Sequence, residues 1–243
     1  MPTAGTPRLT RSAPVAWTGA AVFLFSLLWS AYEYLIGFDT HAASHAPAVA
    51  ATFDVLLFSL FALHHSLLAR SGAKRLVVQW VPEELERSIY TWVASLLFIL
   101  VCTFWQGVSG TLYVLHGFWR ALGYLVQLAG LVLTIRSSAA LDVLDLAGVR
   151  QVQRVSLGTP PRHVALETTG LYGFVRHPLY FAWALMVFGS PDMTATRATF
   201  AIATTLYLAI AIPWEERSLV QVFGRDYEAY RQKVRWRMFP GVY

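Results

Sequence analysis

The chain has 243 residues, of which 56% are hydrophobic and only 14% charged, against about a quarter charged in an ordinary soluble domain. A formal charge of +5 would suit a nucleic-acid binder, but the Lys and Arg stand at the ends of apolar runs, where they orient helices in a lipid bilayer and imply no nucleic-acid partner. The single cysteine, Cys102, lies within an apolar run, which excludes an intrachain disulfide.

Residues 1–14 are polar and basic and are expected to form a cytoplasmic tail, leaving 15–243 as a single membrane domain. Val15–Ile36 is too long for the apolar core of a signal peptide. It reads as a first spanning helix, about 33 Å long. The connection Gly37–Pro47 lacks Lys and Arg and is expected outside. Val49–Leu68 is a second span, with Asp54 near its outer end and His64 and His65 near its inner end. Adjacent histidines point about 100° apart on a helix, and this spacing offers no metal site. Residues 70–88 mix both charges around Pro82 and read as an interfacial loop or short amphipathic helix. Ile89–Val108 and Gly117–Ile135 are the third and fourth spans, with Arg120 expected to snorkel outward. Arg136–Thr169 carries no span. Leu141, Leu144 and Leu146 give it a partly apolar face suited to a membrane surface.

Leu179–Gly189 has only 11 residues, about 17 Å as a helix, too short to cross a core of about 30 Å. A turn at 190–194 and the run Ala198–Trp214 complete a hairpin. The expected fold is therefore an all-α integral membrane protein: four spanning helices, a C-terminal helical hairpin and a cytoplasmic tail helix. Lys and Arg gather in 1–14, 70–87, 136–176 and 217–237, which places both termini in the cytoplasm of a bacterial-type inner membrane. Arg197, at the hairpin tip, is the exception.

In such a hairpin Arg176 and His177, before the first arm, and Glu215 and Glu216, after the second, return to one membrane face. Pro178 suits the first turn of a helix, whose N-terminus favours an anion. The paired glutamates favour a cation or ribose hydroxyls. A pair of acids beside an apolar run can be a solvated helix end, but ionisable groups at membrane depth are functional by default. Segment 170–243 is thus expected to bind a ligand carrying both signs, with Tyr172 and Tyr180 as aromatic walls. Tyr227, Tyr230 and Arg231, three and four residues apart, are expected to share one face of the tail helix and close over that ligand.

Arg176-His177-Pro178-x-Tyr180, Glu215-Glu216 and Phe223-Gly224-x-x-Tyr227-x-x-Tyr230 together resemble the C-terminal signature of the integral-membrane methyltransferases related to isoprenylcysteine carboxyl methyltransferase. The likeness extends upstream through His64-His65-Ser66, Glu86-Arg87-Ser88-x-Tyr90 and Asp145-Leu146-Ala147-Gly148-Val149-Arg150, and is nearest to the methanethiol S-methyltransferases. It implies S-adenosylmethionine as cofactor, held by Tyr172, Arg176, His177, Pro178, Tyr180, Glu215 and Glu216. It also implies a small apolar thiol as acceptor, with methanethiol going to dimethyl sulfide. His65 and Arg231 would stand on the acceptor side. A base would help remove the thiol proton; His177, Tyr230 and Glu216 are the candidates, and the sequence does not choose. A lipid-like acceptor, such as a prenylcysteine carboxylate or a phospholipid amine, is the alternative within enzymes. A non-enzymatic, denitrification-associated membrane protein is the alternative outside them.

Overall fold

In a computed structural model the described residues are 12–68, 78–139, 141–160 and 165–243. The expected tail over residues 1–11, and the segment carrying Arg70, Lys74 and Arg75, lie outside them. The helices are α1 (Ser12–Leu35), α2 (Pro47–Leu68), α3 (Glu86–Thr103), α4 (Gly117–Ala139), the single turn α5 (Val143–Leu146), α6 (Val149–Leu157), α7 (Pro178–Phe188), α8 (Ala195–Phe223) and α9 (Arg225–Lys233). Two short strands, β1 (Thr111–Val114) and β2 (Asp192–Thr194), pair antiparallel. Among the described residues five helices, α1 to α4 and α8, are long and apolar enough to cross a membrane. This is an all-α integral membrane protein.

The fifth span corrects the sequence reading. The hairpin is unequal: α7 has 11 residues, but the return arm α8 has 29, about 44 Å at 1.5 Å per residue. Pro213 does not end it. A proline has no N–H, so the carbonyl four residues back, Ala209, loses its helical donor. The Tyr243 hydroxyl donates to that oxygen at 3.1 Å. Glu215 and Glu216 therefore lie inside a helix and not after one.

α3 also stops short, at Thr103 instead of Val108. The amides beyond it are taken by side chains from elsewhere in the chain. Gln106 N–H donates to Asp54 Oδ1 at 2.7 Å and Val108 N–H to Thr196 Oγ1 at 3.0 Å.

The chain forms two compact units. The first takes in the described parts of Met1–Glu33, Ser59–Thr103 and Asp142–His163. Its core joins Ala16 of α1, Leu85, and Ala147, Val149 and Val152 around the start of α6. Leu146 O accepts from Arg87 Nε and from Thr91 Oγ1, each at 3.2 Å, which fastens α5 to the first turns of α3. Gly148 is required there. Its φ is +85°, and a Cβ would lie 2.4 Å from Ser88 Oγ, so any side chain would meet both strain and a clash.

The second unit is Tyr34–Phe58, Phe104–Leu141 and the described part of Val164–Tyr243. α4 and α7 pack through small residues: a Cβ on Gly130 would fall 2.5 Å from Met186 N, the close approach by which helices associate in lipid. Tyr34, Phe38, Trp105 and Phe200 form an aromatic core. Arg197, 5% exposed, donates to the carbonyls of Tyr34, Leu35 and Asp192 and to Asp39 Oδ2. It thus satisfies the last carbonyls of α1. Arg120 does not snorkel freely: it forms a two-point pair with Asp192, at 2.7 and 3.0 Å.

Candidate functional site

The site in the second unit begins with a proline. Pro178 opens α7 and holds the residue before it out of the helical region; His177 has φ −122° and ψ 66°. The backbone of Arg176 and His177 is thereby free to pair sideways. Their amides donate to Trp236 O at 2.9 Å and Arg237 O at 2.8 Å, which lays the extended segment after α9 alongside the entry to α7.

Glu216, from α8, is the hub of the resulting cluster. Its Oε1 accepts from Arg176 Nε at 2.6 Å, and its Oε2 from Arg237 Nε at 3.3 Å. Arg176 Nη1 donates to Val234 O at 2.7 Å and Arg235 O at 2.8 Å. The Arg176 and Glu216 side chains are 7% and 4% exposed. Charges so buried persist only when paired and hydrogen-bonded, and both conditions are met here. The resemblance had put Arg176 among the residues that hold a ligand; the fold gives its guanidinium to Glu216 and two carbonyls.

Glu215 points outward, its side chain 42% exposed. It accepts from Tyr180 Oη at 2.7 Å. The His177 ring stacks on Tyr180, centroids 5.3 Å apart and planes at 11°. Its Nδ1 lies 3.6 Å from Glu215 and its Nε2 3.5 Å from Glu216. Both are long for a hydrogen bond but within ion-pair reach, so an imidazole sits between two carboxylates.

α9 closes the cluster from below with Tyr227 and Tyr230, packed with Val234 against Leu166, Tyr172 and Leu219. Tyr230 Oη donates to Tyr172 O at 2.7 Å. Burial pushes the Tyr230 phenol above its usual range, with Arg176 pulling the other way. Burial also raises Tyr227, with Glu216 adding to the rise and Arg176 opposing it. The Tyr227 hydroxyl is buried and makes no hydrogen bond among the described residues.

Of the residues expected at the site, Tyr172, Arg176, His177, Pro178, Tyr180, Glu215, Glu216 and Tyr230 come together in this unit. Arg231 is exposed and does not share the buried face of Tyr227 and Tyr230; one residue past Tyr230, it is turned about 100° from that side chain. His65 belongs to the first unit, where its Nδ1 lies 2.8 Å from Tyr90 Oη and its ring stacks on Phe61. Sequence reasoning missed Arg237 and the carbonyls of Val234 and Arg235, having treated residues beyond α9 as a basic tail. The signal was present only in composition: Arg235 and Arg237 flank Trp236.

Several characterised proteins are similar to this chain. It is 32% identical over 240 residues to methanethiol S-methyltransferase 1 of Bradyrhizobium diazoefficiens, covering 89% of this chain and 83% of that one. It is 30% identical over 226 residues to the methanethiol S-methyltransferase of Mycobacterium tuberculosis, covering 89% and 92%. The protein-S-isoprenylcysteine O-methyltransferase of Schizosaccharomyces pombe is 27% identical over 235 residues, covering 90% and 89%. No family model and no solved structure matches the chain.

Proposed function

Because the chain belongs to the isoprenylcysteine carboxyl methyltransferase-like family of membrane methyltransferases, we propose that it methylates a small apolar thiol with S-adenosylmethionine as donor, methanethiol giving dimethyl sulfide being the leading case. The observation that carries this reading is that relatives at 30–32% identity, matched over most of both chains, are named for that thiol.

The residues present fit the donor, which offers an ammonium, a carboxylate, ribose hydroxyls, an adenine and a sulfonium. The Tyr227 hydroxyl and His177 Nε2 are buried polar atoms without a hydrogen bond among the described residues, and such atoms mark a place for a further polar group. Glu215 presents an open carboxylate to an ammonium or to ribose hydroxyls. The stacked pair of His177 and Tyr180 offers a flat π surface to the adenine or the sulfonium. When bound, the donor supplies a methyl group on a sulfonium sulfur, whose S–C bond breaks as the acceptor sulfur takes the carbon.

Transfer of this kind asks the protein mainly to align the reactants and exclude water. A thiol with a pKa near or above about 8.5 is mostly protonated at neutral pH, so a group to hold its proton helps. His177, flanked by two carboxylates, is placed for that. Tyr230 keeps its own proton, and Glu216 is committed to two arginines. A prenylcysteine carboxylate is the second acceptor, favoured by the S. pombe relative's name.

The test is the purified full chain in lipid nanodiscs with S-adenosylmethionine and either methanethiol or a prenylcysteine. Dimethyl sulfide in the headspace, with an equal amount of S-adenosylhomocysteine, is expected. A prenylcysteine methyl ester without dimethyl sulfide would select the second acceptor, and neither product would overturn the reading.

A further inference from the structure

We propose that Arg237, in the extended segment after α9, holds the carboxylate of the donor's amino-acid moiety, with Glu215 beside it taking the ammonium. This rests on S-adenosylmethionine being the donor, and it reassigns the role expected of Arg176.

Charge and access single out Arg237. Two guanidinium groups meet the single carboxylate of Glu216, so one of their two positive charges is not neutralised by it. That charge is not on Arg176, whose side chain is 7% exposed and whose Nε and Nη1 are both engaged. Arg237 differs in each respect. Its side chain is 35% exposed. Its one side-chain hydrogen bond among the described residues is the 3.3 Å contact from Nε to Glu216, which leaves both terminal nitrogens open. Its guanidinium lies over the Tyr243 ring, 5.1 Å from the centroid, so the fork is held in place before any ligand arrives.

On the open side, then, the cluster presents one guanidinium and one carboxylate, Glu215 being 42% exposed. Fork-shaped Arg donors match a carboxylate in two-point geometry. The pair is the complement of an α-amino acid zwitterion. Glu216 and Arg176, buried behind, fix where the two open charges stand.

The test compares S-adenosylmethionine with its decarboxylated analogue, which keeps the sulfonium, ribose, adenine and amine but lacks the carboxylate. Affinities are measured for the full chain in nanodiscs. The parent is expected to prefer S-adenosylmethionine, and Arg237→Gln to weaken its binding roughly ten- to a hundredfold, the contribution of a charge-assisted hydrogen bond. Binding of the decarboxylated compound should stay within about threefold, well inside one hydrogen bond's effect. Arg237→Lys, which keeps the charge but not the fork, is expected to lose part of the preference, and it serves if the glutamine variant does not fold. An unchanged preference in either variant, or an equal loss of both ligands, overturns the proposal. A parent that binds neither compound overturns the donor assignment itself, and this inference with it.

Discussion

Tyr227 and Tyr230 stand one turn apart on α9 with ring centroids 5.7 Å apart, yet their hydroxyls differ in kind. That of Tyr230 is bonded to Tyr172 O, and that of Tyr227 is buried without a partner among the described residues. Tyr230→Phe should therefore lower stability by about 0.5–1.5 kcal/mol, the worth of one hydrogen bond. Tyr227→Phe removes an unmet polar group and should leave the melting temperature of the ligand-free protein unchanged or higher, while weakening donor binding. The opposite ordering of melting temperatures would contradict this. Both phenols are raised by burial, so the folded state holds their protons at a pH where the unfolded chain loses them. Their contribution is complete below about pH 10, the unfolded phenol's pKa, and is lost as pH rises beyond it. Melting curves across that range should fall less steeply for Tyr227→Phe. At this scale the sequence was legible in part. Arg176 and Glu216 stand out because charges beside apolar runs need a reason. That they bond each other across 40 positions is settled by the tail pairing with the entry to α7, which no local pattern encodes.

Among the elements, α8 has the most consequential irregularity. Pro213 leaves Ala209 O without a helical donor, and Tyr243, thirty residues on, supplies one. The same residue's backbone oxygen accepts from the amides of Arg237, Met238 and Phe239, so the segment carrying Arg237 is folded back onto α8 at the proline. Tyr243→Phe should cost about 1 kcal/mol, the lower end for an unsatisfied acceptor because Ala209 is only half-buried. In a Pro213→Ala background, where residue 213 brings its own N–H, the same change should cost markedly less. Equal costs in the two backgrounds, read from thermal unfolding, would show that the hydroxyl does not serve that carbonyl. Helix boundaries were the least legible feature for the same reason. Pro213 reads as an end unless a distant hydroxyl repairs the break. Residues 104–108 read as helix unless Asp54 and Thr196 take their amides.

For the molecule as a whole, the class of fold follows from run lengths and scarce charge, because a span must be long, apolar and internally hydrogen-bonded. The number of spans did not follow, since it turned on α8. Two arginines that stand apart from the expected basic clusters are each held by an ion pair. Arg197 is bound to Asp39, and Arg120 to Asp192, and neither carboxylate lies near its arginine in sequence. The β1–β2 ribbon was missed because its two strands are short and 80 positions apart. The acceptor is poorly legible too, because the one proposed, a small apolar thiol, offers the protein almost nothing to hydrogen-bond.

The methyl donor is proposed to be held by the cluster built from residues 165–243. Photolabelling of the full chain in nanodiscs with radioactive S-adenosylmethionine, followed by peptide mapping, tests this directly. The label is expected in peptides containing Tyr172–Tyr180, Glu215–Glu216 or Tyr227–Arg237, and unlabelled S-adenosylhomocysteine should abolish it. Displaceable label found only in peptides outside 165–243 would contradict the account.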